Sequence, residues 1–553
     1  MSVSRNSFFF AAGTLLSRIS GLFRDTVIAW SFGASPLLDC FLLASRIPNL
    51  FREMLAEGAL SGAFTKVFTD TAKDSQKEAL KLLADVWKLV FIFGSVFCTL
   101  GILFAPELLA LMSLSGAPLL DSAKNYQTTL NLTRLLFPYL ALAMLGSVAM
   151  GALHQGDRFF LSAVSPIALN LGYILGATGL SALFVQVLPE SVDETFADRR
   201  ILGLAVGMVL GGVVHAYAQT SGIKGSNLSH LFLGSWRSLW NVKTKKVFQL
   251  MLPASIAAST GPLNLFINTN FAMLAGPGAV SWLYYAFHIL HLPIGIFAVA
   301  IGSALLPAMT RALKDSPSAK TPYEAAELFQ NAMELLCWLL TPCFVVFFLN
   351  AEQIMAILFQ RGRFTSADTI ASSQALQAYS LSLVPYGLQK IFQSYLYARE
   401  RTSYAMKVSI FGLFVNAAAC SLLVQRFGHV GLALSSSTTV IFSSIAMGLS
   451  IFSDSTLRNQ IKIRTFIPYI LGALVTSLFA SKIATILSHN YILNLSLPST
   501  LSHILILAAT GCTTVVCFFA FGCLRFKTSP KQLPSKIRTM MRRNTIPQKG
   551  TSL

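Results

Sequence analysis

Charged side chains are scarce in this sequence. Asp, Glu, Lys and Arg make up 12% of its 553 residues, about half of the roughly 25% that a soluble globular protein carries. So few charges cannot cover a water-facing surface, which excludes a string of soluble domains. The P-loop, G-x-S-x-G and H-E-x-x-H motifs are also missing, so neither ATP hydrolysis nor another enzymatic site is predicted.

The cysteines form no pattern of a metal or redox site. None of the eight belongs to a C-x-x-C pair, and all lie in or beside apolar runs, where a thiol behaves as a small apolar side chain. We therefore predict no cofactor, no metal and no redox centre.

Long apolar runs dominate what is present, since 54% of the residues are hydrophobic. A helix needs about 20 residues to cross the hydrocarbon core of a bilayer. Runs of this length predict an all-α integral membrane protein with about 14 transmembrane helices. The predicted spans are 8–32, 37–68, 80–112, 128–154, 159–187, 201–221, 247–275, 280–308, 325–350, 371–398, 405–425, 430–452, 466–488 and 501–524.

The basic residues indicate an orientation. The chain has 42 Lys and Arg against 23 Asp and Glu, a net charge of +19, and most of these cations lie in alternate loops between the predicted spans. Cytoplasmic loops of membrane proteins are rich in Lys and Arg. Both termini are therefore predicted to lie in the cytoplasm of a bacterium, with the chain in its inner membrane. We predict that these cations set the orientation of the chain in the membrane and contact membrane lipids. No nucleic-acid partner is predicted.

Two segments lie outside the predicted bundle. We predict that residues 222–246 form a cytoplasmic interfacial linker and that residues 525–553 form a basic cytoplasmic tail. A weak repeat, 25–33 echoed at 268–276, favours two six-helix lobes, which is a common transporter design. We therefore predict an N-terminal lobe at 1–221, a C-terminal lobe at 247–453, and two extra helices at 466–524.

Ionisable residues inside the first two predicted helices are the most informative feature. An Arg or Asp at the centre of a bilayer costs about 2.5–3.5 kcal/mol. A group of them must therefore line a wet cavity or pair internally. The residues are Arg18, Arg24, Asp25, Asp39, Arg46, Arg52, Glu53 and Glu57.

Two interpretations of this cluster follow. The helical period places Arg18 and Asp25 on one face. One interpretation is therefore that buried Arg–carboxylate pairs hold the helices together, although such pairs cost much free energy in desolvation. The other interpretation is an anion site, because the four arginines outnumber Asp25, Glu53 and Glu57, the acids that lie deeper in the two helices. A guanidinium also suits phosphate oxygens. The second interpretation favours a phosphate-bearing substrate over a cationic drug.

Two histidines share a face of the eighth predicted helix. His288 and His291 are three residues apart, with no Cys or carboxylate beside them to complete a metal site. We predict that they line the cavity as hydrogen-bonding groups that titrate near pH 7.

Several stretches resemble the MurJ (MviN) family of lipid II flippases, and the likeness extends over nearly the whole chain. The most specific stretches lie in helices 1 and 2. The stretches read SRISGLFRD at 17–25, FGA at 32–34, IPNL at 47–50, AEGA at 56–59, WLYYA at 282–286 and QRGRF at 360–364.

The resemblance implies a fold of the multidrug/oligosaccharidyl-lipid/polysaccharide (MOP) exporter superfamily. The two six-helix lobes would form a V-shaped arrangement, and the two extra C-terminal helices would form a groove for a polyprenyl tail. The implied substrate is lipid II, the undecaprenyl-diphosphate-linked precursor of peptidoglycan. The implied mechanism is alternating access.

The resemblance also implies roles for single residues. Many members have Asp-Arg where this chain has Phe287-His288, so His288, helped by Arg46, is predicted to supply the missing positive charge. The implied substrate-binding residues are Arg18, Arg24, Arg52, His288, Arg46 and Ser17, and the implied acidic cavity or gate residues are Asp25, Asp39 and Glu57.

Other functions stay open at this point. Some members bind sodium through a carboxylate where this chain has Asn268, so no sodium site is predicted. The alternatives are a flippase for another polyprenyl-linked oligosaccharide, a drug/cation antiporter of the same superfamily, or a non-transporting scaffold. The predicted partners are lipid II, membrane lipids and the cell-wall synthesis machinery, with the chain acting as a monomer.

Overall fold

The computed structural model of this chain is helical, without strands, over the residues that it describes. These are 3–112, 118–156, 158–223, 236, 239–314, 321–453 and 499–525, together with 472, 475, 476, 479 and 482. Most of the predicted helix 466–488, most of the linker 222–246 and nearly all of the tail 525–553 lie outside these residues.

The helices up to residue 221 are mostly pieces of longer rods, separated by prolines, glycines or short turns. They are α1 (Val3–Phe32), α2 (Pro36–Phe51), α3 (Ser61–Asp74), α4 (Gln76–Leu103), α5 (Ala105–Met112), α6 (Pro118–Asp121), α7 (Ala123–Leu136), α8 (Pro138–Gln155), α9 (Phe159–Val164), α10 (Pro166–Leu175), α11 (Ser181–Val187), α12 (Val192–Phe196) and α13 (Arg200–Ser221).

The later helices are longer. They are α14 (Val242–Ala258), α15 (Thr260–Ala272), α16 (Ala279–Pro293), α17 (Val299–Lys314), α18 (Thr321–Leu349), α19 (Ala351–Phe359), α20 (Ser366–Ser380), α21 (Leu383–Ala398), α22 (Thr402–Phe452) and α23 (Ser499–Arg525). Gly428 interrupts α22 with φ 55° and ψ −133°, which matches the predicted break between spans 405–425 and 430–452.

These helices confirm an all-α integral membrane protein. Seven described helical stretches are long and apolar enough to cross a membrane, and the bent pair Val242–Ile256 with Thr260–Ala275 brings the number to eight. Described helices also cover each predicted span except 466–488. The total of about 14 spans is consistent with the fold and stays a prediction.

A π-helical segment, Arg52–Leu60, continues α2. Pro48 stands inside α2, four residues before that segment, and the Arg52 N–H contacts the carbonyl oxygens of both Pro48 and Asn49. A proline removes one backbone donor, and the wider turns that follow are a common form of local adjustment in membrane helices. Arg52 therefore projects from a point where the helix changes its winding.

Glycine lets α10 and α13 approach each other closely. A Cβ atom on Gly207 would lie 2.4 Å from the Gly172 carbonyl oxygen and 2.5 Å from the Gly176 Cα. Small residues at such crossings allow the backbones of membrane helices to meet and gain dispersion contacts. This crossing fixes α10, and with it the polar side chains that α10 carries.

A short loop closes over the end of α1. The Arg363 N–H donates to the Trp30 carbonyl oxygen at 3.1 Å. Gly33 has φ +65°, and a Cβ there would lie 2.5 Å from the Arg363 carbonyl oxygen. Two of the motif stretches, at 32–34 and 360–364, thus meet in the fold.

Contacts divide the chain into two compact units. The first comprises Met1–Ser281 with Arg361–Thr365, and the second comprises Trp282–Gln360 with Ser366–Leu553. Residues 247–281, which the sequence assigns to a C-terminal lobe, group with the first unit. The division into two six-helix lobes stays a prediction.

Candidate functional site

Arg24 of α1 is the most fully coordinated arginine of the predicted cluster. Its Nε and Nη2 both donate to Asp25 Oδ1, at 2.9 and 2.8 Å, and its Nη1 donates to Asn170 Oδ1 at 3.0 Å. The guanidinium also stands 5.2 Å from the centre of the Tyr173 ring. Asp25 is 1% exposed, so this pair is shielded and its geometry is fixed from several directions.

Asn170 of α10 organises the polar face of α1. Its Nδ2 donates to Ser20 Oγ at 2.8 Å and to the Ser17 carbonyl oxygen at 3.3 Å. The Ser20 hydroxyl donates to the same carbonyl at 2.7 Å. The predicted site residue Ser17 therefore takes part through its backbone, and Asn170 connects it with Arg24.

Arg52 contacts residues of its own stretch of helix. Its Nε donates to Asn49 Oδ1 at 3.1 Å, and its Nη2 lies 3.5 Å from Glu53 Oε1. An amide one turn earlier and the next residue along therefore orient this guanidinium.

Arg18 differs from its neighbours in having no counter-ion among the described residues. It is partly buried, and within the described part of the chain no residue forms an ion pair or hydrogen bond with its guanidinium. The predicted stacking on Asp25 is replaced by the Arg24–Asp25 pair. A charge left uncompensated in a membrane helix is expensive, so Arg18 stays the candidate for contact with an anion.

Arg46 and Asp39 connect α2 to other parts of the first unit. Arg46 Nε donates to the Thr269 hydroxyl of α15 at 3.0 Å. Asp39 is fully buried and accepts from the Gly278 N–H at 2.6 Å and from the Ser281 N–H and hydroxyl at 2.8 and 2.6 Å. A carboxylate at the first turn of a helix is stabilised by free N–H groups and by the helix dipole. Asp39 therefore anchors the start of α16, and its predicted gate role stays untested, as does that of Glu57, whose side chain is outside the described residues.

The second unit contributes its own polar groups. The His288 Nδ1–H donates to the Tyr284 carbonyl at 2.8 Å, and the His291 Nδ1–H donates to the Phe287 carbonyl at 3.0 Å. The His291 ring lies 5.7 Å from that of Tyr386, and Lys390 Nζ stands 5.5 Å from the Tyr386 ring. Lys390 is thus a cation on a predicted span that contacts the face of an aromatic ring.

The arginines of α1 and α2 are the described groups whose chemistry suits an anion. Guanidinium and ammonium groups, an amide and a phenol are present at membrane depth. No group of three His, Cys, Asp or Glu among the described residues could hold a metal ion. Sequence reasoning missed Asn170 and Tyr173, although an amide inside the apolar run PIALNLGYIL was a usable signal.

Comparisons with known proteins agree with this chemistry. A family model described as "Lipid II flippase MurJ" matches residues 28–506. A lipid II flippase MurJ of Burkholderia cenocepacia is 32% identical over 440 residues, covering 79% of this chain and 81% of that protein. A probable lipid II flippase MurJ of Haemophilus influenzae is 30% identical over 441 residues, covering 78% and 82%.

Solved structures show the same fold. A lipid II flippase MurJ in an inward closed conformation matches with a TM-score of 0.74 and 20% identity, over 94% of this chain and 99% of that one. An inward-facing multidrug resistance MATE family transporter of the MOP superfamily matches with a TM-score of 0.61 and 15% identity, over 82% and 100%. From the matched length, the level of identity and the shared fold, we conclude that this chain belongs to the MurJ family of lipid II flippases.

Proposed function

We propose that this chain carries lipid II from the inner to the outer leaflet of the bacterial cytoplasmic membrane. The observation that carries the proposal is Arg18, a partly buried arginine of a membrane helix with no counter-ion among the described residues. It lies on the same helix as Arg24, six residues away, and in the proposal the diphosphate of lipid II supplies the anion that Arg18 lacks among the described residues.

Each arginine has a distinct part in the proposed binding step. Arg18 contributes its unpaired fork, which suits two phosphate oxygens. Arg24 is held by Asp25, Asn170 and Tyr173, so its remaining donor capacity is aimed in advance, which lowers the entropy lost on binding. Arg52 is oriented by Asn49 and lies 3.5 Å from Glu53, and in the proposal it adds a further guanidinium for the diphosphate.

The proposed transport cycle is alternating access between two lobes, as in other transporters built from repeats. The headgroup occupies the cavity while the polyprenyl tail stays in lipid beside the last two helices. The resemblance also implies His288 as a donor to the headgroup. An inside-negative membrane potential favours outward movement of an anionic headgroup by about 2.3 kcal/mol per charge per 100 mV.

A depletion experiment tests the function. Cells that lack their own flippase are supplied with this chain, and lipid II is measured separately in each leaflet. We expect wild type to restore lipid II at the outer leaflet and Arg24→Ala to leave it in the inner leaflet. Unchanged distribution with wild type present would overturn the proposal, whereas rescue of another polyprenyl-linked sugar alone would redirect it to that substrate.

Arg18 separates the binding role from a structural lock. Arg18→Gln removes a charge that supports no described contact, so the unfolding temperature should stay close to wild type while lipid II transport falls about tenfold or more. Arg24→Gln should lower both, because it breaks a buried pair. Arg426→Gln, which alters an exposed arginine of α22, is the matched control. If Arg18→Gln transports normally, the anion site is not at Arg18.

A further inference from the structure

A pocket separate from the arginine cluster lies in the first unit, where α7, α11 and α13 meet the loop at 188–199. Its volume is about 600 Å³, and its wall combines an arginine, an amide and apolar side chains. Residues that define it include Asn131, Arg134, Phe184, Leu188, Thr195 and Phe196. No acidic residue is among those that line it in the described chain.

The pocket lies at the depth of lipid headgroups. Leu188 directly follows Val187, the last residue of α11. Leu202 and Val206, which also line the pocket, belong to the first two turns of α13. Both helices are parts of candidate membrane spans, so the pocket is level with their ends, where the hydrocarbon core gives way to the polar interface.

The surface around the pocket faces lipid. On α11, Leu183 is 47% exposed and Val187 is 68% exposed, and on α13 Leu210 is 51% exposed. Exposed apolar side chains on membrane helices contact acyl chains, because no aqueous surface tolerates so many of them together. A molecule that enters the pocket therefore reaches it from the bilayer.

Arg134 gives the pocket a positive charge that no described residue neutralises by an ion pair. The loop's own cations are paired, since Arg199 lies 3.8 Å from Asp193 and Arg200 binds Asp198. The Asn131 amide donates to the Thr195 carbonyl oxygen at 3.2 Å. Arg134, by contrast, has no ion pair or hydrogen bond with any described residue.

We propose that this pocket binds one anionic phospholipid of the bilayer, such as phosphatidylglycerol. The phosphate accepts hydrogen bonds from the Arg134 guanidinium, whose planar fork matches two phosphate oxygens. The start of one acyl chain fills the apolar part between Phe184 and Val206. This site is independent of lipid II transport, because it uses none of the residues of the arginine cluster.

The rival explanation is that Arg134 only extends toward headgroups in general, as long cationic side chains do near helix ends. In that case any anionic bilayer would satisfy it, and the apolar pocket would play no part. The two explanations predict different numbers of tightly bound lipids per chain and different effects of a substitution that fills the pocket.

Native mass spectrometry of the purified full chain, titrated with phosphatidylglycerol or phosphatidylcholine, tests the proposal. We expect one tightly retained phosphatidylglycerol on wild type and at least about tenfold weaker retention of phosphatidylcholine. Arg134→Gln should weaken phosphatidylglycerol binding by a similar factor, and Arg134→Lys by less, since a point charge lacks the fork. Arg426→Gln should match wild type.

A second variant tests the cavity itself. Leu202→Trp fills the apolar part while Arg134 is unchanged, so it should also abolish the tight phosphatidylglycerol. Retained binding in Leu202→Trp would overturn the cavity site in favour of a surface contact. Equal retention of the two lipids by wild type, or no effect of Arg134→Gln, would overturn the proposal altogether. Unfolding temperatures within a few degrees of wild type verify that each variant is folded.

Discussion

At the scale of single residues, what surrounds a charge decides its role. Arg24 and Arg18 belong to one helix and one motif, yet Arg24 contacts a carboxylate, an amide and a ring, while Arg18 contacts none of these among the described residues. The structure shows the buried pair of the first interpretation in Arg24–Asp25. The anion site of the second interpretation stays a prediction, and Arg18 is the residue at which we propose it.

Substitution of Asn170 tests how its contact with Arg24 affects the affinity for lipid II. Asn170→Asp would place a second carboxylate at the position of an oxygen that lies 3.0 Å from Arg24 Nη1. The added negative charge opposes an incoming diphosphate, so we expect lipid II affinity to fall at least about tenfold. Isothermal titration with the purified protein measures this.

Asn170→Ala provides the comparison for that test. It removes the contact without adding a charge, so its loss of affinity should be smaller. Equal losses in both variants would show that Asn170 acts by positioning alone, and no loss in either would contradict its place in the site.

Asp198, outside the membrane spans, should make the loop at 188–199 sensitive to acid. Burial raises its pKa, but the hydrogen bonds and charge of Arg200 outweigh burial and bring the pKa below the usual value. The ionised form therefore stabilises the fold above the unfolded pKa of about 3.9, and this contribution is lost as pH falls through the folded pKa.

Hydrogen exchange of the loop between pH 6 and pH 3 measures this effect. Wild type should lose protection toward the acid end, whereas Asp198→Asn should be less protected at pH 6 and change little with pH. A wild-type profile in Asp198→Asn would contradict the role of this carboxylate.

At the scale of helices, close packing positions the site. Asn170 and Tyr173 belong to α10, and α10 is held against α13 through Gly172, Gly176 and Gly207. These glycines have no side chain with which to bind a substrate, yet a change in the crossing distance would move both polar side chains relative to Arg24.

Gly207→Ala tests this dependence. Its new methyl group would lie 2.4 Å from the Gly172 carbonyl oxygen. Because a backbone atom can move aside only if the helix shifts, we expect the free energy of unfolding to fall by about 1–3 kcal/mol. Transport should fall with it, because α10 moves. Gly179→Ala, where nothing lies within 4 Å, is the matched control and should be near neutral. Normal transport and stability in Gly207→Ala would contradict this dependence.

At the scale of the whole molecule, the distribution of charge predicts orientation. The turn between α3 and α4, which Lys73 and Lys77 flank, belongs to the basic side, and the loop at 188–199 belongs to the other side. By the positive-inside rule, the first should be cytoplasmic and the second periplasmic.

Labelling of single cysteines in spheroplasts checks this orientation. In a background without native cysteines, Glu190→Cys should react with a membrane-impermeant maleimide in intact spheroplasts. Lys77→Cys should react only after lysis. Both positions are exposed in the fold, so burial does not explain a failure to react. The opposite pattern would invert the proposed direction of transport.

Much of this protein follows from its sequence alone. Hydropathy, helical period and charge scarcity are local properties, and they suffice for an all-helical membrane protein whose predicted span limits agree with α13 and with the two parts of α22. The placement of Arg18, Arg24 and Arg52 in membrane helices follows in the same way, because a membrane-depth arginine is unusual wherever it occurs.

Only the tertiary structure decided which partners these charges have. Arg24 meets Asn170 across 146 positions and Asp39 meets Gly278 across 239, and Asp25 pairs with Arg24 instead of Arg18. Helical period fixes the direction of a side chain on its own helix, but not which neighbouring helix stands there. Close backbone approach at residues such as Gly207 determines which helix packs there. Packing between segments that are distant in the sequence cannot be predicted from a local sequence pattern.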